Sequence, residues 1–181
     1  MKVFGVLSLL AVVLFVVTGF NSNPPSPVFV DEYIGQLKFI ESRVLQLEGA
    51  MPQDKYSYRP AEDVRSVSEL YLHIAQANYL FVALSGGELP EGLQMDQKKY
   101  ESQTSDKAKI ADLIKTSFAF ATEYVKKLNE EDLNKEIEAF GMKFSIRNFM
   151  VTMLSHTHEH LGQAIAYARI NGVTPPWSKG E

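Results

Sequence analysis

The sequence predicts an all-α fold, a bundle of four helices, from three observations. Apolar residues recur at helical spacing over four long stretches. Serine or aspartate stands directly before three of them, where a side chain caps a helix N-terminus. Proline or glycine follows three of them, where a helix has to stop. The 181 residues are 45% hydrophobic and 22% charged, which suits one globular domain once a targeting segment is set aside. Four helices of about twenty residues fit one compact bundle.

The N-terminus stands apart from that pattern. Met1-Lys2 precedes an almost unbroken apolar run from Val3 to Val17, then Thr18-Gly19-Phe20, then a polar, proline-rich stretch from Asn21 to Pro27. This is the order of a secretory signal, with cleavage after Gly19, and it implies a periplasmic or extracellular location. The run also approaches the roughly 18–20 apolar residues that span a bilayer, so an uncleaved anchor over residues 3–20 is the other reading. The expected organisation is therefore residues 1–20 as signal or anchor, 21–28 as linker and 29–178 as the helical domain. The chain has no cysteine, which excludes disulfides, thiolate ligands, a cysteine nucleophile and a lipid attached through cysteine. A net charge of −4 argues against a nucleic-acid partner.

Helix one runs from about Val28 to Met51, with Phe29, Tyr33, Leu37, Ile40, Val44 and Leu47 in register, and Pro52 ends it. Residues 52–60 form an extended connection. Ser66-Val67-Ser68-Glu69 has the capping-box order and starts helix two, which runs to about Leu84 before Ser85-Gly86-Gly87. Its inward positions are Val67, Leu70, His73 or Ile74, Ala77, Phe81 and Leu84. Residues 86–104 are longer than a simple helix-to-helix link requires, and read as a lid or as a solvated connector. Ser105 or Asp106 caps helix three, whose stripe is Ile110, Leu113, Ile114, Phe118, Ala121, Tyr124, Val125 and Leu128. Its lysines, Lys107 among them, are expected on a solvated face. Ile137, Phe140, Met142 and Phe144 around Gly141 indicate a short hairpin. Ser145 then caps helix four, which continues to about Asn171 and ends at Gly172.

Helix four carries three of the four histidines, in His156-Thr157-His158-Glu159-His160. At about 100° per residue, His160 lies about 40° from His156 and one turn along, whereas His158 lies about 200° away and faces elsewhere. Phe149, Met153, His156, His160, Ala164 and Tyr167 share one line, so the two imidazoles belong to the apolar face. Buried imidazoles need partners, and a divalent metal suits this spacing; hydrogen bonds to backbone or to a buried Asp or Tyr are the plainer solution. His73 is the other histidine that the pattern turns inward. Three imidazoles leave coordination positions open, the arrangement of a catalytic site in which a bound water is acidified toward neutral pH. Glu159 reads as a base, as a hydrogen-bond acceptor behind the site, or as a surface residue. Gln163 reads as a brace behind His160 or as a boundary residue, and Tyr33 and Tyr167 as pocket or core. No catalytic residue is assigned.

Val64-Arg65-Ser66-Val67-Ser68-Glu69-Leu70 ahead of His73, the hairpin-like link, His156-x-x-x-His160, Gly162-Gln163 and the later Tyr167, Arg169 and Gly172 together resemble the DinB-like superfamily. Residues 54–60 are similar as well, and the resemblance spans roughly residues 29–178. It implies a four-helix bundle, often a homodimer, with one divalent metal (nickel, zinc or iron) held by His73, His156 and His160. Relatives of that kind include thiol-dependent S-transferases, a mycothiol-dependent isomerase and metal-dependent hydrolases. Leu161 stands where the family often has arginine, which weakens any inference to an anionic substrate. Export argues against a thiol transferase. The expectation is an exported, metal-dependent hydrolase or related enzyme acting on a small molecule; the alternative is a noncatalytic metal-binding or stress-response interaction module. Membrane contact is expected only through residues 3–20.

Overall fold

The structure, a computed structural model, describes residues 27–178, and the signal or anchor segment lies outside the described residues. Four long helices are present: α1 (Val28–Ala50), α2 (Val67–Leu84), α4 (Lys107–Val125) and α6 (Ile146–Ile170), with two one-turn helices, α3 (Gln97–Glu101) and α5 (Glu130–Asn134). Strands β1 (Glu136–Ala139) and β2 (Met142–Ser145) pair antiparallel between α5 and α6. The all-α four-helix bundle and its hairpin are thus as the sequence indicates. Among the described residues, no helix is long and apolar enough to cross a membrane.

Both α4 and α6 pack against both α1 and α2. Consecutive helices α1 and α2 are therefore diagonal partners, and the link between them has to cross the bundle. That link does structural work at the start of α2. The carbonyls of Tyr58 and Tyr56 accept hydrogen bonds from the backbone of Val67 (3.0 Å) and Ser68 (2.9 Å). Ser66 and Glu69 complete the capping box, each side chain bonded to the other's backbone N–H. The N–H groups that a helix start leaves without intrahelical partners are thereby supplied. Asp106 caps α4 through Lys109 N, and Ser145 caps α6 through Asn148 N.

Leu37, Ile40, Val44 and Leu47 of α1, Leu70 and Ile74 of α2, Ile110, Ile114 and Phe118 of α4 and Phe149 of α6 are almost wholly excluded from solvent. Each such side chain contributes about 1.5–3 kcal/mol of burial free energy. Asn78 and Ser117 join α2 to α4 inside this core by a 3.0 Å hydrogen bond. At the start of α1 it is Val30, rather than Phe29, that is fully buried.

Two further details differ from the periodicity reading. The 86–104 link contains α3 and is tied to α2 by Gln76 Nε2 donating to the Met95 carbonyl at 3.0 Å. Lys107 leaves the solvated face of α4: its Nζ donates to the carbonyls of Gly49 (2.6 Å) and Met51 (2.8 Å) and so caps the end of α1. The hairpin turns through Phe140 and Gly141, with φ of 54° and 72°. Both loop residues are left-handed, as a two-residue turn between twisted strands requires. Glycine adopts this freely, whereas phenylalanine does so at a cost of about 1–2 kcal/mol.

Glu48 is buried at the end of α1, where Tyr56 Oη donates to its Oε1 at 2.5 Å. Burial raises its pKa, against the lowering effects of the Tyr56 hydrogen bond and of Lys107. For a carboxyl whose folded pKa is raised, the unfolded chain releases the proton first, so stability falls as pH rises from about 4.5 through the folded pKa. Glu48→Gln keeps the acceptor without the charge. It should stabilise the fold at pH 7 by on the order of 1 kcal/mol, seen as a higher melting temperature, with the gain over the parent shrinking as pH falls toward 4.5; thermal melts of the two proteins across that range check this.

Candidate metal centre

The seam between α2 and α6 holds a cluster of three histidines. His73, His156 and His160 each offer a ring nitrogen, and the three nitrogens lie within 4.8 Å of one another. The helical count thus brings together the residues it selected. His73 Nε2 and His156 Nε2 are 3.2 Å apart. Two imidazole nitrogens on one tetrahedral zinc, at about 2.0–2.1 Å each, stand about 3.3–3.4 Å apart, so the observed spacing already suits a shared ion.

The outer nitrogens decide what the inner ones can do. Glu101, on α3, accepts from His73 Nδ1 at 2.8 Å through Oε1, while Arg65 Nε donates to its Oε2 at 2.8 Å. Gln97 Nε2 adds a third hydrogen bond to Oε1 at 2.9 Å. Burial alone would raise the Glu101 carboxyl, but these partners outweigh it and hold the pKa at about 2. An ionised carboxylate only accepts, so His73 carries its proton on Nδ1 and turns the Nε2 lone pair inward.

A second chain of bonds does the same for His160. Tyr167 Oη donates to the Arg65 carbonyl (3.1 Å) and accepts from Gln163 Nε2 (2.8 Å). Gln163 Oε1 is then the acceptor for His160 Nδ1, at 3.0 Å. Arg65 therefore anchors both outer chains, one with its guanidinium and one with its carbonyl. Orienting partners of this kind are a regular accompaniment of metal-binding histidines.

His156 is the exception. Its Nδ1 is buried without a hydrogen-bond partner. Burial lowers its pKa to about 4, aided by the charges of His160, His73 and Arg65; burial likewise lowers that of His160. Both rings are neutral at pH 7, with lone pairs free to bind a cation. Three imidazoles without thiolate, two of them with an outer nitrogen bonded to an acceptor, fit a divalent ion of the zinc or nickel type.

Beside the cluster lies a cavity of about 460 Å3, reached by His73 and His156. Ala77, Leu80, Phe81, Met95 and Phe140 form its apolar wall, and Glu159 supplies a carboxylate. A separate polar groove of about 670 Å3 lies near Glu101 and includes Arg59, Arg65 and Lys98. His158 is exposed and bonds only its own helix, through the Leu154 carbonyl. Tyr33 is buried away from the cluster, and Leu161 is buried in the core. Glu101 and Gln97 escaped the periodicity reading because α3 spans one turn. The signal that could have found them is Asp96, which caps α3 through Lys99 N.

Residues 27–180 match the sequence profile of the DinB family. The uncharacterized protein YjoA of Bacillus subtilis is 31% identical over 134 residues, which is 71% of this chain and 82% of that protein. Its solved structure, of a DinB-like protein, matches with a TM-score of 0.62 at 27% identity, covering 79% of this chain and 93% of the other. A DinB-like protein from Bacillus cereus matches with a TM-score of 0.71 at 16% identity, over 81% and 95% of the two chains. YfiT from Bacillus subtilis is described as a probable metal-dependent hydrolase with an unusual four-helix bundle topology. It matches with a TM-score of 0.64 at 16% identity, over 84% and 95%.

Replacing the carboxylate tests the outer bonding directly. Glu101→Leu should cost about 1–3 kcal/mol in chemical denaturation, the range for losing a buried charge-assisted acceptor. In nitrogen-15 spectra of the imidazoles, His73 should lose the Nδ1–H form in the variant while His160 retains it.

Proposed function

The chain belongs to the DinB family, and from that premise we propose that it binds one divalent metal through His73, His156 and His160 and hydrolyses a small molecule at that site. The observation that carries this reading is the convergence of three imidazoles with their ligand atoms within 4.8 Å. The description of YfiT as a probable metal-dependent hydrolase supports it.

A divalent ion supplies Lewis acidity toward a carbonyl and toward water. The chain's own residues do the rest. Glu101 and Gln163 hold the rings of His73 and His160 in one tautomer. Arg65 keeps Glu101 ionised and in place. The apolar side of the cavity offers a bound group surface of low polarity beside the histidines. Glu159, on the helical turn between His156 and His160, lines the same cavity and is the carboxylate placed to take or return a proton.

We also propose that the protein is exported. The support is the order of its first residues: Lys2, the apolar run from Val3 to Val17, and the small residues before Asn21. Sequencing the mature N-terminus decides between cleavage near Gly19 and an intact anchor.

Purified from metal-replete cells, the domain should carry about one equivalent of metal, and zinc or nickel should raise the melting temperature of the stripped protein. His73→Ala, His156→Ala and His160→Ala should each abolish both effects. Gln163→Leu should weaken zinc binding about 10–100-fold in chelator competition. Turnover of ester or amide substrates should vanish in His156→Ala. Metal content well below one equivalent, with no thermal response, overturns the metal reading. Stoichiometric metal without turnover leaves a binding module.

A further inference from the structure

We infer that the cavity beside the histidine cluster is a subsite for an uncharged, apolar acyl or aryl group, and that Phe140 at the hairpin tip decides which groups fit. This assignment of a substrate class rests on the hydrolase reading above.

Three observations carry it. The first is chemical: one side of the cavity is alanine, leucine, phenylalanine and methionine, the rest carries the neutral side chains of Gln76, Gln97, Thr152 and Ser155 with two histidines and Glu159, and no lysine or arginine lines it. Away from the histidine end, a carboxylate or phosphate held against this wall would meet the Glu159 carboxylate and no lysine or arginine, so an anionic group on that part of a ligand is disfavoured. The basic side chains of this region, Arg59, Arg65 and Lys98, line the separate polar groove.

The second is continuity with the cluster. Phe140 packs edge-on against Phe81 at 6.4 Å between ring centroids, and Phe81 packs edge-on against His156 at 5.6 Å. The hairpin tip is therefore joined to a proposed ligand through a single intervening ring. An apolar group held against these rings places its attached carbonyl at the histidine end of the cavity.

The third is the exposure and conformation of Phe140 itself. It is 61% exposed, and Leu80 across the same cavity is 37% exposed, so two large apolar side chains at one opening lack full cover. Phe140 also occupies a left-handed turn position for which asparagine is the favoured residue. The aromatic ring is thus held where turn chemistry alone selects against it, and strain retained beside a reactive centre is a mark of a functional position.

Phe140→Asn separates the two roles, because asparagine suits the turn: the variant should melt at or above the parent temperature. Calorimetric titration of the full chain with phenylacetamide, acetamide and 4-carboxyphenylacetamide, with and without one equivalent of zinc, reads the subsite without relying on turnover. The parent should bind phenylacetamide about tenfold tighter than either of the others, and Phe140→Asn should bind it about tenfold weaker than the parent, the scale of one aromatic contact. Leu80→Gln, on the exposed side of α2, should act in the same direction. Phenylacetamide binding unchanged in both variants, or equal binding of the carboxylated probe by the zinc-free chain, overturns the inference. With the zinc-loaded chain, hexanoyl esters should be preferred over acetyl esters in kcat/KM by the parent, and Phe140→Asn should reduce that preference. If the probe binds as expected and no ester is hydrolysed, the apolar subsite stands and the hydrolase reading falls. If esters are hydrolysed with the same preference in both proteins and probe binding is unaltered, the subsite falls and the hydrolase reading stands.

Discussion

Burying three imidazoles against one another on the seam of α2 and α6 is the constraint from which the surrounding structure follows. Burial disfavours the charged forms of His156 and His160. A neutral ring has one nitrogen that donates and one that accepts. Which nitrogen faces inward has to be decided from outside the cluster. Glu101 decides it for His73 and Gln163 for His160. The inward lone pairs that result are an incomplete coordination sphere, and His156, with its outer nitrogen unpartnered, is the ring least constrained by hydrogen bonds.

Arg65 shows how the fold meets that demand with few residues. It lies directly before the N-cap of α2, in the segment that crosses from α1. Its guanidinium holds Glu101 and its carbonyl receives Tyr167, so one residue ties α3 and the end of α6 to the start of the helix that carries His73. The diagonal placement of α1 and α2 makes this possible, because the long link must pass over the bundle end where these groups meet. The same region separates a polar groove with basic side chains from an apolar cavity at the histidines. The basic side chains Arg59, Arg65 and Lys98 thus lie in the groove, while the cavity has none.

Much of the bundle was legible in the sequence because each long helix satisfies local rules by itself. The box of Ser66 and Glu69, Asp106 and Ser145 mark their helix starts within one residue. The 3.6-residue period places His156 and His160 on the inner face and His158 outside. Short elements were harder to read. One turn of helix, such as α3 or α5, contains too few residues for a period to show. Lys107 looked like one of several solvated lysines because its acceptors, the carbonyls of Gly49 and Met51, belong to another helix end.

The sequence by itself determined which side chains could share a face: helix geometry converts spacing into direction, and that needs no knowledge of neighbours. It therefore determined the all-α class, the caps, the hairpin and the three histidines as candidates. The tertiary structure alone decided what stands behind and beside those histidines. Glu101, Gln97 and Phe140 reach the centre from a one-turn helix and a hairpin tip, across gaps of many residues. Hydrogen-bond partners and cavity walls depend on distances between elements, and no periodicity within one element contains them.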